Sequence, residues 1–356
     1  MNISSLPAAL LFLALFVAGG VRVAAQSEWE LTSPPVVNGN PVGVMEIVGT
    51  PSGTLFLRTN DQGLLYRSLN MGETWEPAAN GIEPSDMAGA SVYPSPSGAL
   101  FLFSPLRATL YHSANNGGSW LPVLQLAGDD AELRHLAFTS QGGIYVSAND
   151  TTLRYSADDG KTWSLLAAPA NGAFVSVTTN GDLVAAATSD FGKAVVWRSE
   201  GGTGAWQQVF TGGANSTTAR LFLNPQTNIL FIGVTNVNNG TFASADIFCS
   251  VDFGVSWQIV NTGIATDNRR IISHIVTPDG NLHILIGTGV IYTLPFMRAE
   301  WEQRTPTNQI GTPQQLASIG HTWFVIDNSG KLFRKNLTPT AVEMEPGSKR
   351  LPLDLW

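Results

Sequence analysis

The chain has 356 residues, 44% of them apolar and only 13% charged, with 36 Gly, 20 Pro, 10 Trp and 17 Phe. That much aromatic surface excludes a disordered chain, and the abundance of Gly, Thr, Val, Ser and Asn favours strands and turns over helices. A formal net charge of −8 excludes a basic nucleic-acid-binding face, and a single Cys excludes an internal disulfide framework and Cys-rich zinc or iron–sulfur sites.

Residues 6–21, LPAALLFLALFVAGGV, form an apolar run of 16. That is shorter than the ~20 residues a membrane span needs and suits the core of a signal peptide. Val23 and Ala25 supply small residues for cleavage after Ala25, so residues 1–25 read as an address. The mature chain is then expected to be secreted or periplasmic, with no membrane span left. MNISS carries no Lys or Arg ahead of the run, which keeps an uncleaved anchor as the alternative.

Beyond the leader the chain repeats. Trp29, Trp75, Trp120, Trp163, Trp206, Trp257 and Trp301 are spaced by 46, 45, 43, 43, 51 and 44 residues, a period that fits four-stranded propeller blades. Upstream of six of them the same order returns, as in residues 142–163: an apolar strand GGIYVSA, a polar turn NDTT, a second strand LRYS, a tight turn ADDGK, then Thr162-Trp163. The local period is 2, so these are strands. With strands lettered A to D from the axis outward, A strands are expected near residues 42, 89, 133, 174, 219, 271 and 315.

The seventh unit has A, B and C candidates in QQLASI, TWFVI and KLFR but no D strand after Arg334. Glu28-Trp29-Glu30-Leu31 matches the other D strands and is expected to complete that blade, removing an open sheet edge. The expected fold is therefore all-β, a seven-bladed β-propeller of four-stranded antiparallel blades over residues 26–336, closed by an N-terminal strand and followed by an extended tail, 337–356.

Between strands C and D stand SLNMGETW, SANNGGSW, SADDGKTW, SEGGTGAW and SVDFGVSW. Gly at the fifth position of four copies supplies positive φ, Asn or Asp at the third accepts bonds from turn amides, and the Trp enters the sheet face between blades. The residues concerned are Ser68, Asn70, Gly72 and Trp75; Ser113, Asn115, Gly117 and Trp120; Ser156, Asp158, Gly160 and Trp163; Ser199 and Trp206; and Ser250, Asp252, Gly254 and Trp257. Gly201 replaces the acid in the fourth copy, and the sixth blade has TLPFMRAEW instead.

This S-x-D-x-G-x-[TS]-W pattern resembles the Asp-box, or BNR repeat, of sialidase-like propellers, sortilins, xyloglucan-cleaving glucanases and photosystem II assembly factors. The resemblance covers residues 42–334. It implies that the boxes are structural and lie on the face opposite the functional one. Sialidases of this class carry an [FY]-R-I-P motif, which is absent, and the xyloglucan-cleaving enzymes pair two propellers where this chain has length for one. The assembly-factor group matches in plan, yet its Arg patch has no clear counterpart here.

Other motifs fail. Gly160-Lys161-Thr162 lacks the first Gly of a phosphate loop, and neither G-x-S-x-G nor H-E-x-x-H occurs. The histidines are dispersed, although His274 and His283 are expected as neighbours across a hairpin. A propeller presents ligands on the face made by its D-to-A and B-to-C loops. Asp129, Asp130, Arg134, Arg269 and Arg270 are the candidate binding residues there, with Asp86 nearby. The sequence thus reads as a monomeric, non-catalytic platform for a protein or glycan, with no cofactor, metal or nucleic acid. The alternative is a glycoside hydrolase using two carboxylates among Asp61, Asp150, Asp190 and Asp267.

Overall fold

The computed structural model describes residues 29–37, 40–59, 64–128, 130–189, 192–296, 298–304 and 310–337. The leader (1–25) and the tail from residue 338 lie outside them. The described residues form seven four-stranded antiparallel sheets, a two-stranded hairpin (Val36–Val37 with Asn40–Pro41) and two short 3-10 turns. The inner A strands are Val44–Gly49, Ser91–Pro94, Leu133–Phe138, Phe174–Val177, Ser216–Asn224, Ile271–Val276 and Pro313–Ile319. The protein is a seven-bladed β-propeller. Glu30–Leu31 pairs antiparallel with Leu332–Asn336, Glu30 opposite Arg334 and Leu31 opposite Phe333. Blade 7 meets blade 1 through Gln315, whose side chain accepts from the Ile47 amide and donates to the Ile47 carbonyl.

Second strands such as Leu100–Ser104 (LFLFS) and Leu282–Ile286 (LHILI) are buried at every position, because neighbouring blades cover both faces. Outer strands such as Leu121–Gln125 are largely exposed. The hydrophobic clusters accordingly lie between blades, for example Phe56 of blade 1 against Leu102, Tyr111 and Trp120 of blade 2.

Four C-to-D turns share one geometry. In the third blade the Ser156 hydroxyl donates to Asp158 at 2.8 Å and accepts from the Gly160 amide at 2.9 Å, while Asp158 accepts from the Thr162 amide at 2.9 Å and hydroxyl at 2.7 Å. These bonds from Thr162 hold the Asp158 carboxyl down at about 2. Equivalent bonds join Ser68, Asn70, Gly72 and Thr74, then Ser113, Asn115, Gly117 and Ser119, then Ser250, Asp252, Gly254 and Ser256. The pairs Met71–Gly72, Asn116–Gly117, Asp159–Gly160 and Phe253–Gly254 all have positive φ, the backbone of a two-residue turn whose twist matches the strands. In blade 4 the acid missing at Gly201 is supplied from elsewhere: Asp182 accepts from the Gly201 amide at 2.8 Å and pairs with Arg198 at 2.6 Å.

Five indoles tie their blade to the one before it, while Trp257 donates within its own turn to Gly254 O at 3.2 Å. Trp75, Trp120, Trp163, Trp206 and Trp301 donate to the carbonyls of Ser33, Ala78, Val123, Ala167 and Val260, at 2.7–3.0 Å.

Candidate functional site

Among the described residues the longest B-to-C hairpin of the loop face belongs to blade 5. In blade 5 the B and C strands run Ile229–Asn238 and Thr241–Ser250, ten residues each, and turn at Asn239-Gly240 with Phe242 exposed. The following D-to-A loop braces this hairpin, the Ala245 amide donating to Asp267 O at 2.8 Å.

The sequence-predicted residues of this face are dispersed around the ring. Asp150 is held by Arg154 Nη2 at 2.6 Å and by the Thr152 amide, which keep its carboxyl below the usual range. Asp267 is exposed and lies 3.5 Å from Arg269, which also faces Asp246 at 3.6 Å. Arg134 pairs with Glu132 at 2.6 Å, Arg270 is exposed, and Asp130 accepts from Asn149 through its backbone carbonyl. Asp86 is buried under the Tyr111 hydroxyl, which donates to it at 2.8 Å. Asp61, Asp129 and Asp190 lie outside the described residues. His274 and His283 do not face each other: His274 sits opposite Ile284 and His283 opposite Ile275, so the one-residue offset sends them to opposite sides of the sheet. Among the described residues no three His, Cys, Asp or Glu side chains cluster as metal ligands, and no helix is long and apolar enough to cross a membrane.

What sequence reasoning missed lies on the axis. Five A strands carry a bulge near their start, between Val44 and Glu46, Leu133 and His135, Thr218 and Arg220, Ile271 and Ser273, and Pro313 and Gln315. A bulge re-aims the side chain that follows it. Here that residue reaches the inner strand of the next blade. Glu46 bonds Ser91, His135 bonds the Val175 backbone, Arg220 Nη2 donates to Ile272 O at 3.1 Å, Ser273 donates to Leu316 O at 3.3 Å, and Gln315 grips Ile47. Inner strands have one unpaired edge, and these polar side chains satisfy it. The only sequence signal was a polar residue on strands that are otherwise apolar.

Inside this belt is a cavity of about 700 Å³. The inner strands of blades 1, 2, 5, 6 and 7 line it, and those strands meet only at the axis. Glu46, Arg58, Tyr93, Arg220 and His274 contribute its chemistry. Burial pushes the Glu46 carboxyl up, against the opposing pull of Ser91 and of Arg58, whose Nε lies 3.2 Å away. Burial and the Glu46 charge push the Tyr93 phenol up to about 12, so it stays protonated. Burial, then repulsion from Arg220, pushes His135 down to about 4 and His274 to about 3. Both imidazoles are neutral at pH 7. Arg220 remains a cation despite its burial, given its very high ordinary pKa.

His274 breaks the repeat. Its position in the pairing with strand B is filled in the other six blades by Ile47, Val92, Leu136, Val175, Leu221 and Leu316. Its ring stacks on Phe222 with centroids 3.8 Å apart. Buried His283, between the hydroxyls of Thr293 at 2.7 Å and Thr277 at 3.2 Å, is also pushed by burial to about 3.

These depressed histidines predict an acid-labile fold. Because the folded pKa lies below the unfolded ~6.5, the unfolded chain takes up protons first, and stability present above pH 6.5 is lost as pH falls toward 3–4. Each histidine contributes a slope of up to about 1.4 kcal/mol per pH unit within its window. Urea unfolding followed by tryptophan fluorescence from pH 7 to 4 measures it. His274→Leu, which restores the aliphatic residue of the other blades, is expected to flatten the slope by about one histidine's share; an unchanged slope contradicts a His274 held neutral in the fold.

The fold has wide structural company. A catalytically inactive virginiamycin B lyase from Staphylococcus aureus, solved with quinupristin, superposes with a TM-score of 0.64 at 14% identity, over 87% of this chain and 100% of that one. YCF48 bound to a D1 peptide gives 0.63 at 17%, over 89% and 98%. A GH74 xyloglucanase from Xanthomonas campestris gives 0.56 at 18%, over 80% of this chain and 51% of that one. At such identities these likenesses establish the fold alone. No curated protein matches the sequence. The model of the DUF6242 beta propeller domain does, over residues 57–289, which is more than half of the chain. The chain therefore belongs to the DUF6242 beta-propeller family.

Proposed function

We propose that this protein is an exported, non-catalytic binding platform, a propeller of the Asp-box class that holds a protein or glycan on its loop face. The observation carrying this reading is the state of that face. Three of its described acids are engaged structurally or paired with arginine (Asp86 with Tyr111, Asp150 with Arg154, Asp267 with Arg269), exposed Asp130 has no second carboxylate paired with it among the described residues, and the blade-5 hairpin extends from this face with Phe242 exposed. A glycosidase instead needs one carboxyl free to hold a proton and a second positioned opposite it. The similar structures solved with quinupristin and with a D1 peptide support the reading in that propellers of this plan hold ligands.

The test combines partner capture from the native export compartment with a glycan array and a panel of fluorogenic glycosides. The intact protein is expected to retain a defined partner or glycan and to turn over no glycoside. Replacing residues 236–244 by a short Asn-Gly turn is expected to abolish retention without lowering the melting temperature. Turnover that Asp150→Asn or Asp267→Asn abolishes would overturn the platform reading in favour of a glycoside hydrolase.

A further inference from the structure

We propose that the axial cavity is a binding site for a small organic carboxylate, anchored by Arg220 with Tyr93 and His274 beside it. The site extends the binding-module reading and rests on it in one respect, that no chemistry is asked of the bound molecule.

The first argument is charge. Among the cavity-lining residues Arg58 and Arg220 carry two positive charges and Glu46 one negative, so the axis of a chain with net charge −8 is locally positive. Glu46 is already engaged by Arg58 and Ser91. Arg220 is in no ion pair among the described residues, and one Nη2 bond to the Ile272 carbonyl is its only hydrogen bond there. A half-buried guanidinium has five N–H donors in a fork that fits a carboxylate. Here most of that fork has no protein acceptor. A cation taken out of water without a counter-ion is costly, and an incoming carboxylate would remove that cost.

The second argument is His274. Packing explains an aliphatic residue at its position in six blades, yet this blade places a half-buried imidazole there, stacked on Phe222, with its Nδ1 atom buried and without any hydrogen-bond partner. Buried polar atoms are nearly always satisfied, and an exception calls for a ligand or a function. Tyr93, a protonated phenol, also lines the cavity and adds an O–H donor. The Arg220 guanidinium and the Tyr93 hydroxyl supply the donors of the cavity wall and favour an anion over a cation or a neutral apolar molecule, while neutral His274 offers one ring N–H and one acceptor nitrogen beside them. The volume of about 700 Å³ lies within the range of small-molecule sites.

Isothermal titration calorimetry of the full chain at pH 7 tests this with succinate and citrate, with neutral succinamide of matching shape, and with inorganic phosphate. At least one carboxylate is expected to bind, and succinamide is not. Arg220→Gln is expected to weaken the carboxylate by roughly ten- to a hundredfold, the range for a hydrogen bond to a charged group, whereas the exposed Arg107→Gln leaves it unchanged. Should Arg220→Gln fail to fold, Arg220→Lys and Tyr93→Phe serve in its place, each expected to weaken binding several-fold. Absence of any carboxylate binding, or binding indifferent to these substitutions, overturns the proposal. Phosphate binding as tightly as the carboxylates through Arg220 overturns the assignment of the ligand class. Loss of the cavity site with partner capture intact leaves the platform reading standing, so the two fail separately.

Discussion

Gly263→Ala is expected to cost at least about 4 kcal/mol and to leave little soluble protein, a cost in the exceptional range for one substitution. Gly263 has a φ of +93°, and a Cβ there would lie 2.0 Å from the Trp301 carbonyl oxygen and 2.8 Å from its amide nitrogen. Neither atom belongs to a flexible side chain that can swing away. The Trp301 amide donates to Thr262 O at 2.9 Å, its indole donates to Val260 O at 2.7 Å, and the ring is buried. Relief therefore requires blades 5 and 6 to part. Gly81 stands in the same relation to Trp120, with its Cβ 2.2 Å from the Trp120 carbonyl, and Gly81→Ala is expected to behave alike. Gly53 is the control. It also has positive φ, at +87°, but nothing lies within 4 Å of its Cβ, so Gly53→Ala is expected to cost only the left-handed backbone penalty, about 1–2 kcal/mol. Equal effects at Gly263 and Gly53 in urea unfolding would show that the blade contact is not what matters.

Trp120→Ala is expected to cost about 4 kcal/mol, lowering the melting temperature by roughly 6 °C for a domain of this size. Trp120 is one of the largest fully buried side chains and meets Phe56 of the preceding blade edge-on at 6.3 Å. Truncation opens a cavity between two blades and strands the Ala78 carbonyl, which now accepts from the indole at 2.8 Å. Packed blades cannot collapse onto the space without disturbing the ring. Trp206 makes the equivalent bond to Ala167 at 2.7 Å from a partly exposed position. Trp206→Ala is therefore expected to cost about half as much. A Trp206 loss equal to that of Trp120 would mean that the hydrogen bond, and not burial, carries the energy.

Both predictions concern the layer that the amino-acid pattern displays openly. The blade count is legible because a strand's alternation is local and each Trp falls at the same place in its unit. The turn residues are legible for the same reason: Ser68, Asn70 and Gly72, like Ser156, Asp158 and Gly160, bond within five residues of chain. Asp182 is not legible as the replacement for the acid missing at Gly201, because it arrives from a different turn, 19 residues away. The loop acids are legible as residues but not as states. Only the folded chain shows Asp150 held by Arg154, or Asp86 beneath Tyr111.

The axial site lies further from reach. Glu46, Arg220 and His274 are separated in sequence by whole blades, and each on its own reads as a stray polar residue in an apolar strand. A bulge shifts the alternation by one residue, so a period-2 reading of Val44–Gly49 or Ser216–Asn224 misassigns which side chain faces the neighbouring blade.

By itself the sequence determined the all-β character, the seven repeats and the turn chemistry, since these depend on interactions between residues close along the chain. Which side chains meet on the axis, which of their charges are paired, and that Arg220 is left without a carboxylate beside a His274 whose Nδ1 has no partner, only the tertiary structure decided. The physical reason is that closing a ring brings together the inner edges of distant strands, and the cost of burying an unpaired polar group there depends on neighbours that no local pattern specifies.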